Sequence, residues 1–219
     1  GLLLARLAAA EGGRGGVLLV SGPAGIGKTR LVEEALARHG GTAAVGRGVC
    51  TDDRGAPPFW PWCQVLRTLA RRIDLEALAG EHRLGAELAR IAPDVVSAAA
   101  PLAGSDSAED RFRQFDAVAR LLREVCLQAP LLVVLDDAHW ADEASLLLLH
   151  HVTRVLTALQ ARGQVLVIAD QPASIAALVI AVSGFSGCWV RCWTWPARRW
   201  RGWTWTCDSD LDLGDLLEP

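Results

Sequence analysis

Short apolar runs alternate along this chain with longer stretches whose apolar residues recur every three or four positions. Val17-Leu18-Leu19-Val20, residues 131–135 and residues 164–169 are continuous apolar runs bounded by turn residues, which predicts buried strands. Residues 43–49 read as another strand. Helical spacing predicts helices over 30–38, 64–72, 108–127 and 143–159. In the third of these, Phe112, Phe115, Val118, Ala119, Leu122, Val125 and Cys126 share one face that should be buried, and Pro130 ends the pattern. Asp142 stands where it would cap the last helix. Residues 2–10 suggest a short helix joined to the first strand by a glycine-rich link. His39-Gly40-Gly41 offers a C-cap, and residues 55–62 a rigid aromatic loop. Residues 74–104, rich in Ala and Leu but broken by Gly and Pro, suggest short and loosely defined helices. Strands alternating with helices predict an α/β fold, a parallel β-sheet with helices on both faces.

The glycine-rich turn after the first strand changes the picture from fold to chemistry. Residues 22–29 read Gly22-Pro23-Ala24-Gly25-Ile26-Gly27-Lys28-Thr29 and are followed by Arg30 at the head of a helix. Gly22-x4-Gly27-Lys28-Thr29 between a strand and a helix is the phosphate-binding loop pattern. Gly22, Gly25 and Gly27 let the backbone take φ > 0 and approach phosphate oxygens without a Cβ in the way. The loop amides and the helix N-terminus then face the β-phosphate. Lys28 is the chain's only lysine beside twenty-one arginines. Its compact ammonium can reach between the β- and γ-phosphates, where a planar guanidinium fits poorly. The Thr29 hydroxyl is placed to ligate Mg²⁺. A P-loop NTPase of the ASCE type is expected over residues 1–169, with ATP and Mg²⁺ as its ligands.

Such a loop needs an acidic strand end opposite. The run 131–135 ends in Asp136-Asp137. Asp136 is assigned to Mg²⁺ and Asp137 to orienting or deprotonating the attacking water, so that Lys28 and Asp137 are the candidate catalytic residues. His139 and Trp140 are read as packing beneath that loop, or, more sharply, His139 as touching nucleotide or water. His150 and His151 are read as packing or surface positions.

Length and composition set outer bounds. A chain of 219 residues suits one α/β domain, and a net charge of −3 with a pI near 6.0 leaves no overall electrostatic footprint for nucleic acid. No signal peptide is visible at the N-terminus, and the late apolar run 175–182 falls short of the roughly 20 residues that span a bilayer. A cytoplasmic location without membrane contact is expected. Six cysteines fit no disulfide framework in that compartment, and Cys50, Cys63 and Cys126 read as small core residues. Cys188, Cys192 and Cys207 lack a fourth ligand at metal-binding spacing. The chain has no Met and opens on Gly1 in what reads as a helix, which suggests a fragment of a longer protein.

Residues 131–142, Leu-Leu-Val-Val-Leu-Asp-Asp-Ala-His-Trp-Ala-Asp, resemble the Walker B segment of an AAA-type ATPase family. That family belongs to the signal-transduction ATPases with numerous domains (STAND), found in large LuxR-type bacterial transcriptional regulators. The P-loop, Gly55-Ala56-Pro57-Pro58-Phe59-Trp60-Pro61-Trp62 and Arg111-Phe112-Arg113-Gln114-Phe115-Asp116-Ala117-Val118 agree with it. The resemblance covers about residues 2–169. It implies an ATP-driven switch controlling self-association or an attached output domain. It also implies a Thr-x-Arg sensor after the last strand, where Asp170-Gln171-Pro172 stands, and a helical small domain for which the chain shows no pattern. Hydrolysis is therefore expected to be slow or absent. The alternatives are a nucleotide-binding module that does not hydrolyse and a small-molecule kinase.

From about residue 170 the composition shifts. Six of the nine tryptophans fall between Trp189 and Trp205, with arginines and cysteines interleaved and no helical or strand period. Residues 170–219 are read as an atypical tail, either translated out of frame or, taken at face value, a partner surface. Stacking of single-stranded bases on Trp and Arg is the weaker option, because the acidic end 208–218 opposes it.

Overall fold

The computed structural model describes residues 16–39, 43–53, 55–97, 107–158 and 164–170, together with Leu4, Ala5 and Ala8. Four strands form one parallel sheet: β1 (Gly16–Ser21), β2 (Ala44–Val49), β3 (Leu131–Asp136) and β4 (Gln164–Asp170). Their spatial order is β1-β4-β3-β2. Leu19 lies opposite Ile168, Leu135 opposite Ile168 on its other side, and Val49 opposite Asp136. A strand thus stands between the one that feeds the glycine-rich turn and the one that ends in Asp136, an order compatible with the ASCE-type P-loop fold.

Helices cover both faces. Helix α1 (Lys28–His39) packs Val32 and Ala35 on Leu18, Val20, Leu132 and Val134. The opposite face carries the larger core. There α2 (Trp60–Ala70), α3 (Leu75–Glu81), α4 (Gly85–Leu88), α5 (Ala108–Gln128) and α6 (Glu143–Ala158) gather over Leu131, Val133 and Leu135. Every residue of β3 is buried, since side chains on both faces of a covered parallel sheet leave water.

Several local expectations shift. The aromatic segment is not a loop throughout, because α2 already begins at Trp60. Phe59 takes a left-handed conformation (φ 64°) at its N-cap, and Pro61 sits in the first turn, where its missing N–H costs nothing. Residues 74–97 are short helices but not loosely packed. Leu75, Leu78, Ala79, Leu84, Leu88 and Ala92 are buried, and Asp74 caps α3 by accepting from Ala77 N at 2.9 Å. Residues 98–104 of that expectation lie outside the described residues. Phe112 corrects the reading of α5: it is 58% exposed while Phe115, Val118, Ala119, Leu122 and Val125 are buried. It lies near the start of the helix and meets His151 of α6 edge-on at 5.3 Å.

Two glycines seat α2 against the sheet. A Cβ on Gly48 would lie 2.1 Å from the Pro61 carbonyl oxygen, and one on Gly46 2.7 Å from Val65 Cγ1. Gln64 then binds both backbone groups of Val49, accepting from its N–H at 3.3 Å and donating to its carbonyl at 3.0 Å. Cys50, Cys63 and Cys126 are buried thiols, as expected, and burial pushes Cys126 up to about 12. Among the described residues no helix is long and apolar enough to cross a membrane. Residues 171–219 lie outside the described residues, as does most of 2–10.

Candidate functional site

The glycine-rich turn leaves β1 and enters α1 at the C-terminal edge of the sheet. Gly25 (φ 73°) and Gly27 (φ 96°) both occupy the positive-φ region that side chains disfavour. At Gly22 the constraint is space: a Cβ there would meet Ile26 Cγ2 at 3.0 Å. Ile26 N donates to Pro23 O at 3.3 Å, closing the turn. The first helical bond runs from Leu31 N to Gly27 O at 2.9 Å, so the amides of Lys28, Thr29 and Arg30 precede the helical ladder. They form the positive end of a twelve-residue helix, suited to an anion.

Lys28 arches over this turn. Its Nζ donates to Gly22 O at 2.9 Å and to Pro23 O at 3.2 Å. The ammonium therefore stands at the mouth of the loop, held by carbonyls that an anionic ligand can replace. Pro23, Ala24, Gly25, Ile26 and Gly27 are exposed around it, as is Arg30 beyond it.

Thr29 and Asp136 meet across the width of one strand. Thr29 Oγ1 donates to Asp136 Oδ2 at 2.8 Å, a contact spanning 107 residues of sequence. The other carboxylate oxygen, Oδ1, accepts from Asp137 N at 3.1 Å. The Asp136 backbone carbonyl accepts from Cys50 N at 2.9 Å, continuing the ladder between β2 and β3 past the strand ends. Asp136 itself is buried, so its carboxylate is fixed in direction. A hydroxyl and a carboxylate oxygen at one point are hard donors of the kind Mg²⁺ takes in small number, keeping water and phosphate oxygens for its other positions. Among the described residues no group of three or more His, Cys, Asp and Glu gathers to hold a metal without such partners.

Asp137 follows in the left-handed conformation (φ 51°, ψ 42°) and opens a 3-10 turn, Ala138–Trp140. Asp tolerates this region better than most residues, and a backbone outlier at a strand end marks a position held by its surroundings. His139 and Trp140 stack on each other at 5.0 Å, with Trp140 half exposed. His150 and His151 lie on α6, where His151 packs against Phe112 and Phe115, in line with a packing role. Asp142 caps α6 as expected: Ser145 donates its N–H to Oδ1 at 2.9 Å and its hydroxyl to Oδ2 at 2.6 Å.

Sequence reasoning did not foresee how the two aromatic motifs brace this loop. Trp62, fully buried, donates its indole N–H to Ser145 O at 3.0 Å, and Phe59 meets Phe115 edge-on at 5.9 Å. The head of α2 is thereby tied to both α5 and α6. Pro next to aromatic residues was the available signal, but nothing in it names the partners.

Among solved structures, the chain resembles one in the complex described as Drosophila ORC bound to AT-rich DNA and Cdc6, at 11% identity and a TM-score of 0.38. The match covers 88% of this chain and spans about half, 55%, of the other. A likeness that distant says nothing about function. A search of curated proteins finds no match. Residues 1–168, by contrast, match the family model described as AAA ATPase domain, and this chain therefore belongs to the AAA ATPase domain family.

Proposed function

We propose that this chain is the nucleotide switch of a multidomain signalling or transcriptional regulator of the STAND class, binding ATP with Mg²⁺ and turning it over slowly or not at all. The observation that carries nucleotide binding is the 2.8 Å contact between Thr29 and Asp136, which brings the head of α1 and the end of β3 to one point. Gly22, Pro23, Ala24, Gly25, Ile26 and Gly27, with the amides of Lys28, Thr29 and Arg30, hold the phosphates. Lys28 leaves its two carbonyl partners for the β- and γ-phosphates. Mg²⁺ at Thr29 and Asp136 neutralises phosphate charge when bound. Asp137 orients the attacking water, its peptide N–H keeping the Asp136 carboxylate directed at the same point.

Slow turnover follows from the residues at and beyond the end of β4. Asp170-Gln171-Pro172 stands where the resemblance leads one to expect Thr-x-Arg, so the guanidinium that would meet the γ-phosphate is missing from that position. Binding without rapid hydrolysis suits a switch, because each nucleotide state then persists long enough to bias self-association or an output domain. Direct contact with nucleic acid by this segment is not part of the reading.

Asp137→Asn separates a slow ATPase from a module that only binds. A slow ATPase loses phosphate release in the variant while Mg-ATP affinity stays within about twofold. Equal phosphate release by both proteins would remove Asp137 from the chemistry. No release by the unaltered chain, with binding retained, would favour the purely binding module.

A further inference from the structure

A cavity of about 450 Å³ opens between the first turns of α5 and α6 and the segment leading into α2, and none of its lining residues belongs to the glycine-rich turn. Its volume falls within the range of sites for small organic ligands, roughly 300–1,000 Å³. The floor is apolar: Pro58, Phe59 and Leu147. Leu147 is 42% exposed, apolar surface that a ligand body would cover.

The charges around this floor are unequal in what they have left to offer. Asp142 spends both carboxylate oxygens on Ser145. Glu143 sits in the first turn of α6, where a negative charge offsets the helix dipole. The arginines are different. Arg111 and Gln114 lie three residues apart on one face of α5, and both reach the cavity with Arg90. Gln114 is buried, and with its amide oxygen turned to the guanidinium it accepts from Arg90 Nη1 and Nε at 3.2 Å each. That contact aims Arg90 and leaves its Nη2 edge unengaged by Gln114. Neighbouring Asp110 is taken by Arg113, and among the described residues Arg111 has no ion-pair partner. Two guanidinium groups, one oriented by a buried amide and one with no ion pair among the described residues, therefore face an apolar floor, with Asp142 and Glu143 at its side.

We propose that this cavity is a second ligand site, for a small organic carboxylate with an apolar body. The carboxylate meets the Arg111 fork, with Arg90 as the second donor, and the body lies against Phe59, Pro58 and Leu147. Arginine suits this because its planar donors match both oxygens of a carboxylate. The site is independent of the nucleotide reading, since it shares no residue with the phosphate loop or with Asp136.

Ligand-observed NMR with indole-3-acetate as probe, and indole-3-acetamide as its uncharged counterpart, tests this on the full chain. Indole-3-acetate should bind, the amide should bind at least roughly tenfold more weakly, and Arg111→Gln should weaken indole-3-acetate by about the same factor. Arg111→Lys should fall between. Lys28→Ala should leave the probe's affinity unchanged, which separates this site from anion binding at the phosphate loop. Arg111 is exposed, so its variants should keep the native circular dichroism and melting midpoint. Equal binding of acid and amide, indifference to Arg111→Gln, loss of binding in Lys28→Ala, or no binding of the acid would each overturn the proposal.

Discussion

At Asp136 the two carboxylate oxygens have separate partners, and one substitution can divide their effects. Oδ2 faces the Thr29 hydroxyl and Oδ1 the Asp137 amide N–H. Asn keeps the shape and one acceptor but loses the charge a divalent cation needs. Asp136→Asn should therefore lower Mg-ATP affinity to that seen for ATP with the metal chelated, while its melting midpoint shifts little. Retained Mg²⁺ dependence in an isothermal titration would take Asp136 out of the metal site. His151 offers a second test at this scale. Its Nε2 is buried without a hydrogen-bond partner among the described residues. Burial lowers its pKa, with Arg154 and His150 adding to the lowering and Asp116 opposing it. As pH falls below about 6.5 the unfolded chain takes up the proton before the folded one. The contribution is intact above that pH and is lost as pH falls through the folded value. The melting midpoint of His151→Phe should accordingly drop less between about pH 7 and about pH 5 than that of the unaltered chain; parallel slopes would contradict this. Residue identities at the site were legible because a phosphate loop depends on fixed spacing and on backbone conformations that only glycine adopts easily. Phe112 was misread for the opposite reason: helical periodicity predicts a face, but not how completely neighbouring elements cover each position on it.

Between elements, the contact of β2 with α2 is the most tightly specified. Gly48→Ala would press a methyl into the Pro61 carbonyl at 2.1 Å, where the nearest atoms are all Pro61 backbone and no flexible side chain can yield. A loss of about 1–3 kcal/mol or more is expected in urea unfolding. A loss below about 0.5 kcal/mol, the range of an ordinary surface substitution, would mean the helix can shift freely. Trp62→Phe keeps most of the packing but loses the indole hydrogen bond to the Ser145 carbonyl, which stays within the α6 ladder, expected to cost about 0.5–1.5 kcal/mol. Strands β3 and β4 were legible within a residue or so, because continuous apolar runs between polar turns leave little choice. The start of α2 was not. Pro57, Pro58 and Pro61 read as breakers, whereas a proline in a first turn is compatible with a helix once Phe59 adopts its left-handed cap. Residues 74–97 looked loose because glycine and proline interrupt them, and only the shared core with α5 shows how fully they are buried.

For the molecule as a whole, alternating strands and helices were enough to foresee a parallel sheet covered on both faces. The order β1-β4-β3-β2 was not open to the same reasoning, since nothing local says that the last strand enters between the first and third. That insertion sets the gap across which Thr29 and Asp136 meet, so the site is a product of topology as much as of its motifs. The cavity at the heads of α5 and α6 is likewise assembled from distant segments and left no mark in any one of them. The measurement that bears most directly on the account is calorimetric titration of Mg-ATP into the chain and into Lys28→Ala. Saturable binding should weaken in the variant by about 1.5–3 kcal/mol, roughly 10- to 150-fold in Kd, as expected for a charged hydrogen-bond donor. Equal affinity in both proteins, or no binding in either, would contradict a working phosphate site at Gly22–Thr29.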